Sequence, residues 1–182
     1  MSRRRSVAPG VNALAELEVP GTRLPRGGDV WRMWWWTVHG YVHATQKSRS
    51  VRRRMISLLC ALVLLVTAPL WWAWCAWALF GPGAHRAFLA ADSTAMLVIR
   101  AHGDRWILAD HLARRPGTGQ GRALRAVLAA PIARCADAQK VTIQVTAAAP
   151  QLVEQYRRDD PRWVVEHTTA TGQVMLIRRP AS

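Results

Sequence analysis

Three glycines at alternate positions, Gly117, Gly119 and Gly121, lie in the stretch ARRPGTGQGRAL, just before an apolar pattern with helical spacing. Because glycine adopts unusual backbone angles and has no side chain, successive amides of such a loop can converge on one acceptor. At a helix N-terminus the amides are unpaired and the dipole is positive, which suits a phosphate or pyrophosphate. The stretch therefore predicts an anion-binding loop, with a ligand-free strand-to-helix turn as the alternative.

Two common nucleotide-binding loops do not fit these residues. A P-loop ends in Gly-Lys-Ser/Thr, but the residue five positions after Gly117 is Arg122 and no such triplet follows. The dinucleotide fingerprint needs a third glycine, which neither Arg122 nor Leu124 supplies. Both families are therefore disfavoured.

The elements around the loop follow from the spacing of apolar residues. Two apolar runs, Ala95–Arg100 and Arg105–Leu112, flank the turn AHGD and indicate a hairpin. Apolar residues then recur at helical spacing from Gly121 to Ala136, with Pro131 expected to kink the helix. The other predicted elements are a short helix around 82–92, a strand at Val141–Thr146, a helix that begins at Pro150 and contains Tyr156, and a closing hairpin of RWVVEHTT with VMLIRR.

This order of elements resembles the C-terminal half of the GNAT superfamily of N-acyltransferases, over about Ala95 to Arg179. The resemblance implies an α+β fold, a truncated GNAT-like mixed sheet with helices, and acetyl-CoA as co-substrate. It also implies that the glycine loop wraps the pyrophosphate of coenzyme A, mainly through backbone amides. The residues that would make these contacts are Gly117, Thr118, Gly119, Gln120, Gly121 and Arg122.

Three side chains are candidates for catalysis. By the resemblance, Tyr156 occupies the position of a tyrosine that protonates the departing thiolate of coenzyme A; packing is its alternative role. Asp110 or His111, on the strand before the loop, can act as a base directly or through a water, because the attacking amine must be neutral. Ordinary strand surface is the alternative for both residues.

The chain before Ala95 is predicted to be membrane-bound. Met55 to Phe80 contains 26 residues without a charge, enough to cross a hydrocarbon core of about 30 Å as a helix. The five cations of KSRSVRRR, Lys47 to Arg54, place the N-terminus in the cytoplasm. They favour a solvated orientation signal without a specific ligand, with binding of anionic lipid headgroups as the alternative. Pro69 divides the run, so a re-entrant hairpin with both flanks cytoplasmic is equally compatible. We expect a bacterial cell-membrane protein, with the side of its C-terminal domain left open.

These patterns divide the chain into four segments. We expect residues 1–30 to be mostly disordered, with one short helix at Asn12–Glu18, and residues 31–54 to form an interfacial, basic juxtamembrane segment. For Trp31–Gln46, a helix packed on the rest of the protein and a start of translation at Met33 are open alternatives. Residues 55–80 form the membrane segment and residues 83–182 the GNAT-like domain. Only about fifteen residues separate the membrane run from the strand at Ala95, so the first strand and two helices of the family fold are expected to be missing.

Metal, disulfide and nucleic-acid chemistry are not predicted. The cysteines, Cys60, Cys75 and Cys135, have no CxxC spacing, and His39 and His43 lie one helical turn apart without a third ligand nearby. The net charge is +14, but the arginines are dispersed and no recognition motif accompanies them. Nucleic acid is therefore a disfavoured partner.

Two functions remain open. One is a membrane-anchored N-acyltransferase that uses acetyl-CoA, whose acceptor site is completed by a second copy; a membrane protein is another expected partner. The other is a catalytically degenerate GNAT-like module that serves for interaction within a membrane assembly. Turnover with amine substrates separates the two.

Overall fold

The computed structural model describes residues 9–47, 51–80, 85–147, 150–169 and 172–181, and they form a mixed sheet between two layers of helices. The helices are α1 (Pro9–Glu16), α2 (Asp29–Lys47), α3 (Val51–Val66), α4 (Ala68–Phe80), α5 (Gln120–Ala138) and α6 (Pro150–Asp159). The strands are β1 (Thr22–Arg23), β2 (His85–Ala90), β3 (Ala95–His102), β4 (Arg105–Ala113), β5 (Thr142–Ala147), β6 (Trp163–Thr168) and β7 (Val174–Arg178). Their order across the sheet is β1-β2-β3-β4-β5-β7-β6, with β4 and β5 parallel. The α+β class is thus confirmed.

Alternation along β3 sends its side chains into two separate cores. Leu97 and Ile99 pack with residues of α1, α5 and α6, whereas Met96 and Val98 pack with residues of α2, α3 and α4. All four side chains are buried, which explains why this strand reads as a continuous apolar run. The centre of the sheet is therefore covered on both faces.

The elements predicted from Ala95 onward are confirmed in type and order, but the helix expected around 82–92 is wrong. His85–Ala90 is a strand that pairs with both β1 and β3. Ala87 and Leu89 pack into one core and Phe88 into the other, so pairing and burial on both faces outweigh the local helical signal. Residues 82–84 of that prediction lie outside the described residues.

The expectation of a half-domain is also wrong. β1 lies at the sheet edge, where Thr22 pairs with Ala90 and Arg23 with Leu89, and α2, α3 and α4 lie between β1 and β2 along the chain. The first strand and the helices that follow it are therefore present. The spacing argument failed because these elements precede and include the apolar run rather than follow it.

Residues 9–30 are ordered in this structure, contrary to the expected disorder. Leu14 of α1 is buried in the core, and Trp106 Nε1 donates a hydrogen bond to the Gly10 carbonyl at 3.0 Å. A side chain at Gly10 would meet Val141 Cγ2 at 2.7 Å, so glycine permits this close packing. Residues 1–8 lie outside the described residues.

Asp29 anchors the N-terminus of α2. Its buried carboxylate accepts hydrogen bonds from Arg23 (2.7 and 2.9 Å), Arg32 (2.5 Å) and the Arg26 amide (2.7 Å). Burial opposes ionisation, but these donors hold the pKa of Asp29 well below its usual range. Arg23 also donates to Ser93 Oγ, so the two-residue strand β1 is fixed to the turn between β2 and β3.

The apolar run Met55–Phe80 lies in two helices. α3 and α4 are bent by 88° where Thr67 separates them, and Pro69 lies in the first turn of α4, a position that tolerates proline. None of the described helices is by itself both long and apolar enough to cross a membrane; Arg54–Val66 and Ala68–Phe80 meet that requirement only as a bent pair. The expected single transmembrane helix is therefore not supported.

Two arginines and two aspartates join α5, the α6–β6 turn and β7. Arg178 is 1% exposed and donates to Asp137 at 2.7 and 2.9 Å and to Asp160 at 2.6 Å. Arg162 donates to the same two carboxylates at 3.1 to 3.2 Å. The hydrogen bonds from Arg178 keep the pKa of Asp137 well below its usual range. This cluster ties the C-terminal end of α5 to β7.

Candidate functional site

A gap between the parallel strands β4 and β5 is the centre of the candidate site. Among the described residues their pairing runs from Arg105–Thr142 to Leu108–Val145, while β4 continues to Ala113. A cavity of about 670 Å³ lies at this gap. Its wall includes residues of β4, β5, α5, α6 and the glycine loop, so the elements that the sequence singled out converge on one place.

A β-bulge in β4 determines which candidate base faces α5. Leu97 pairs with His111 and Ile99 with Leu108, so β4 has one extra residue between these pairs. Without the bulge, Asp110 would lie opposite Leu97. The bulge therefore puts His111 on the face of α5, where it lines the cavity. Asp110 lies in β4, but its side chain is outside the described part of the structure.

The loop between β4 and α5 is braced by its own side chains. Gln120 Oε1 accepts a hydrogen bond from the Arg115 amide at 3.0 Å, and Thr118 Oγ1 donates to the Arg115 carbonyl at 2.8 Å. Gly117 and Gly119 have φ of 84° and 85°, in the left-handed region that favours glycine. The predicted roles of Thr118 and Gln120 as ligand contacts remain predictions; in this structure both shape the loop.

Backbone amides at the N-terminus of α5 are available to a ligand. Among the described residues, no hydrogen bond has the amide of Gly119, Gln120, Gly121 or Arg122 as its donor. A Cβ at Gly119 would meet no atom within 4 Å, so the space beside this residue is open. Arg115 and Arg122 are also among the residues that line the cavity. Unpaired amides beside two cations fit a pyrophosphate.

His111 joins β4 to the first turn of α5. Its Nε2–H donates to the Gly121 carbonyl at 2.9 Å, and a side chain at Gly121 would meet Nε2 at 2.8 Å. Burial, with the charge of Arg125, lowers the pKa of His111 to about 4, against the opposing effect of the Gly121 hydrogen bond. The imidazole is therefore neutral at pH 7 but a weak base, which favours a positioning role.

Stability is expected to fall by about 2 kcal/mol between about pH 7 and about pH 5. His111 has an ordinary pKa of 6.5, so over this range it takes up a proton in the unfolded chain but not in the folded one, where its pKa is about 4. Protons then favour unfolding. Urea titrations at the two pH values measure the difference, with His167→Gln on β6 as a control that keeps it. An unchanged difference in His111→Gln would contradict the assignment.

Tyr156 reaches the cavity from α6. Its side chain is buried, its ring lies 5.3 Å from that of Trp163, and the Arg125 guanidinium carbon lies 4.9 Å from its ring centre. Burial raises the pKa of Tyr156, against an opposing effect of Arg125. The hydroxyl is therefore protonated at pH 7 and can donate a proton. Catalysis by Tyr156 remains a prediction that this position supports.

Arg125 and Trp36 are cavity residues that the sequence reasoning missed. Arg125 is 8% exposed and donates from Nη2 to Gln155 Oε1 at 3.0 Å. A signal existed, since Arg125 is four residues after Gly121 and three before Leu128 on the inward face of α5, where an apolar residue is expected. No comparable signal marked Trp36, because α2 was assigned to the membrane surface.

The cavity extends to the opposite face of the sheet. Trp36 and Gly40 of α2 line it together with Leu112, whose side chain packs into the core beneath α2. The cavity is therefore lined from both faces at the strand gap, with the glycine loop and Tyr156 on one face and α2 on the other. Within the described part of the chain, no cluster of three His, Cys, Asp or Glu side chains could hold a metal ion.

Comparisons with known proteins agree with this architecture. No family model and no curated protein matches the chain. The chain is similar in structure to a GCN5-related N-acetyltransferase from Rhodopseudomonas palustris, with a TM-score of 0.57 and 12% identity over 90% of this chain and 97% of that one. It is also similar to the PaiA N-acetyltransferase of Thermoplasma acidophilum in complex with coenzyme A, with a TM-score of 0.53 and 8% identity over 87% of this chain and 97% of that one.

The fold is therefore GNAT-like, and the likeness covers most of the chain rather than its C-terminal half. At this level of identity it shows the fold alone.

Proposed function

We propose that this protein transfers an acetyl group from acetyl-CoA to an amine. The observation that carries the proposal is that one cavity at the β4–β5 gap is lined by both the unpaired amides of α5 and Tyr156. A GNAT-like structure with similar architecture contains coenzyme A, which supports this choice of co-substrate. When bound, acetyl-CoA supplies an acyl group activated as a thioester.

The N-terminus of α5 would hold the pyrophosphate of coenzyme A. The amides of Gly119, Gln120, Gly121 and Arg122 have no acceptor in the part of the chain that the structure describes, and the helix dipole adds a positive potential there. Arg115 and Arg122 add two charges at the same cavity. Gly117 gives the loop its turn, while Thr118 and Gln120 keep its shape.

Tyr156 would hold the proton needed by the departing thiolate. Its hydroxyl stays protonated at pH 7 because burial raises its pKa, and a buried donor next to developing negative charge is effective. His111 keeps β4 against α5 and so fixes the strand that borders the gap. Asp110 remains our candidate for the base that neutralises the amine. The amine would enter from the face of Trp36 and Gly40.

Binding of acetyl-CoA and free coenzyme A to the full chain, measured by isothermal titration, tests the site. We expect Gly119→Glu to weaken binding at least about 100-fold, because a carboxylate enters a site built for phosphate. Gly119→Gln is the matched control, since it carries the same backbone strain at φ +85° without the charge. Equal binding by the two variants would show that the glycine loop does not bind coenzyme A.

Release of free thiol from acetyl-CoA in the presence of an amine panel tests the reaction itself. A functional transferase releases thiol only with an accepted amine, and Tyr156→Phe lowers this rate. Tight binding of coenzyme A without turnover by any amine would favour the degenerate interaction module instead.

We further propose that α3 and α4 lie on a lipid membrane with anionic headgroups. Large apolar side chains are exposed along both helices, and Arg52 and Arg54 are exposed at the start of α3, where they can meet lipid phosphates. These exposed apolar residues are Val51, Met55, Ile56, Leu58, Leu59, Leu62, Val63, Leu65 and Val66 of α3, and Leu70, Trp72, Trp77 and Phe80 of α4.

The pairing of β1 with β2 favours attachment over spanning. β1 precedes α3 and α4 along the chain, and β2 follows them, yet the two strands are neighbours in one sheet. A segment that crossed the bilayer once would separate these strands. A surface or re-entrant position leaves both on the same side, and we place that side in the bacterial cytoplasm, where acetyl-CoA is made.

A further inference from the structure

Arg125 is a buried charge on the wall of the cavity. Its side chain is 8% exposed, its Nη2 donates to Gln155 Oε1 at 3.0 Å, and its Nε has no hydrogen-bond partner among the described residues. Its guanidinium also lies over the ring of Tyr156, with 4.9 Å from carbon to ring centre. The proposed mechanism of acetyl transfer assigns no role to this arginine.

The other buried arginine among the described residues, Arg178, has the partners that Arg125 lacks. Arg178 is paired with two carboxylates, Asp137 and Asp160. By contrast, Arg125 forms no ion pair among the described residues: the described wall of this cavity holds no Asp or Glu, and Asp159 and Asp160, which line a neighbouring cavity with Arg125, do not pair with it. A guanidinium has five donors, and burying it without an anion is unfavourable. A ligand anion would supply the missing partner.

We propose that Arg125 binds a carboxylate at the end of the acyl group, so that the site accepts, besides acetyl-CoA, a dicarboxylic acyl-CoA such as succinyl-CoA. The inference rests on the proposed function. Arg125 lies one helical turn beyond Gly121, deeper in α5 than the amides that would hold the pyrophosphate. Gln155 and Tyr156, its neighbours, line the same α5 and α6 side of the gap.

The donor is the more suitable source of this carboxylate. An acceptor that enters from the α2 face, past Trp36 and Gly40, would have to extend its carboxylate through the gap where transfer takes place. An acyl group enters on the side of the glycine loop and of Arg125. A planar guanidinium suits a carboxylate, and Nε of Arg125 still lacks an acceptor among the described residues.

Titration of the full chain with succinyl-CoA and butyryl-CoA tests the inference, because these donors match in chain length and differ in the terminal carboxylate. We expect the wild type to bind succinyl-CoA at least about tenfold more tightly. Arg125→Met should bring the ratio close to one, and Arg125→Gln serves the same purpose should the Met variant fail to fold. Arg134→Met, at an exposed arginine of the same helix, should keep the wild-type ratio.

Three results would overturn the inference. A wild-type ratio near one, with free coenzyme A still bound, would reject the carboxylate site and leave the proposed function intact. A tenfold preference that persists in the Arg125 variants would assign the carboxylate to another residue. Absence of binding by free coenzyme A itself would reject the proposed function and this inference together.

Discussion

Replacement of Asp137 by asparagine is expected to lower the free energy of unfolding by about 3 kcal/mol, because it leaves a buried guanidinium without one of its two carboxylates. Arg178 donates two hydrogen bonds to Asp137 and is 1% exposed, so water cannot replace the lost charge. Asp160 still accepts from Arg178 Nε, which keeps the loss below that of a fully isolated charge. Urea unfolding followed by circular dichroism measures the change.

Asp159→Asn is the matched control for this prediction. Asp159 ends α6 next to Asp160, is exposed, and forms no ion pair among the described residues. The same chemical change there should leave stability within about 0.5 kcal/mol of the wild type. Equal losses in the two variants would show that the cluster around Arg178 contributes no more than surface charges do.

The strands and helices after Ala95 could be predicted because each carries its own local pattern. β3 is an apolar run, β5 alternates, and α5 has inward residues at helical spacing. Their order then pointed to the GNAT fold, and the glycine loop pointed to its phosphate site. These features depend on nearest neighbours along the chain, which a single sequence displays.

The N-terminal half could not be predicted because its pattern has two explanations. An uncharged run of 26 residues signals a membrane helix, yet here it lies in α3 and α4, whose residues Leu64, Cys75 and Leu79 pack beside β2 and β3. The remaining apolar side chains are exposed. Hydropathy alone therefore cannot distinguish helices that cover a sheet from a transmembrane helix. β1 has only two residues, too few for any sequence pattern.

Contacts between residues far apart along the chain also determine which side chains form the candidate site. Asp110 and His111 were equivalent candidates in the sequence, and only the bulge opposite β3 determines that His111 lies next to α5. Similarly, Arg125 broke the apolar pattern of α5, but nothing in the sequence said that its neighbours would be Gln155 and Tyr156. A polar residue at an inward position of a helix is therefore a sequence signal for a candidate site.

The exposed apolar side chains of α3 and α4 are expected to attach the protein to lipid. The wild type should bind vesicles that contain anionic lipid, and the double variant Leu59→Glu with Leu62→Glu should bind at least about 100-fold more weakly, because two apolar contacts are lost and two repelled charges are added. Both leucines are exposed, at 60% and 57%. Vesicle flotation with the full chain measures the bound fraction.

Val164→Glu is the matched control, since this valine is 46% exposed on β6, the strand at the opposite edge of the sheet from β1. It changes an exposed apolar residue to the same charge and should leave vesicle binding unchanged. If the protein binds zwitterionic and anionic vesicles equally, Arg52 and Arg54 do not contribute to lipid binding. If neither variant loses vesicle binding, the apolar surface of α3 and α4 contacts something other than lipid.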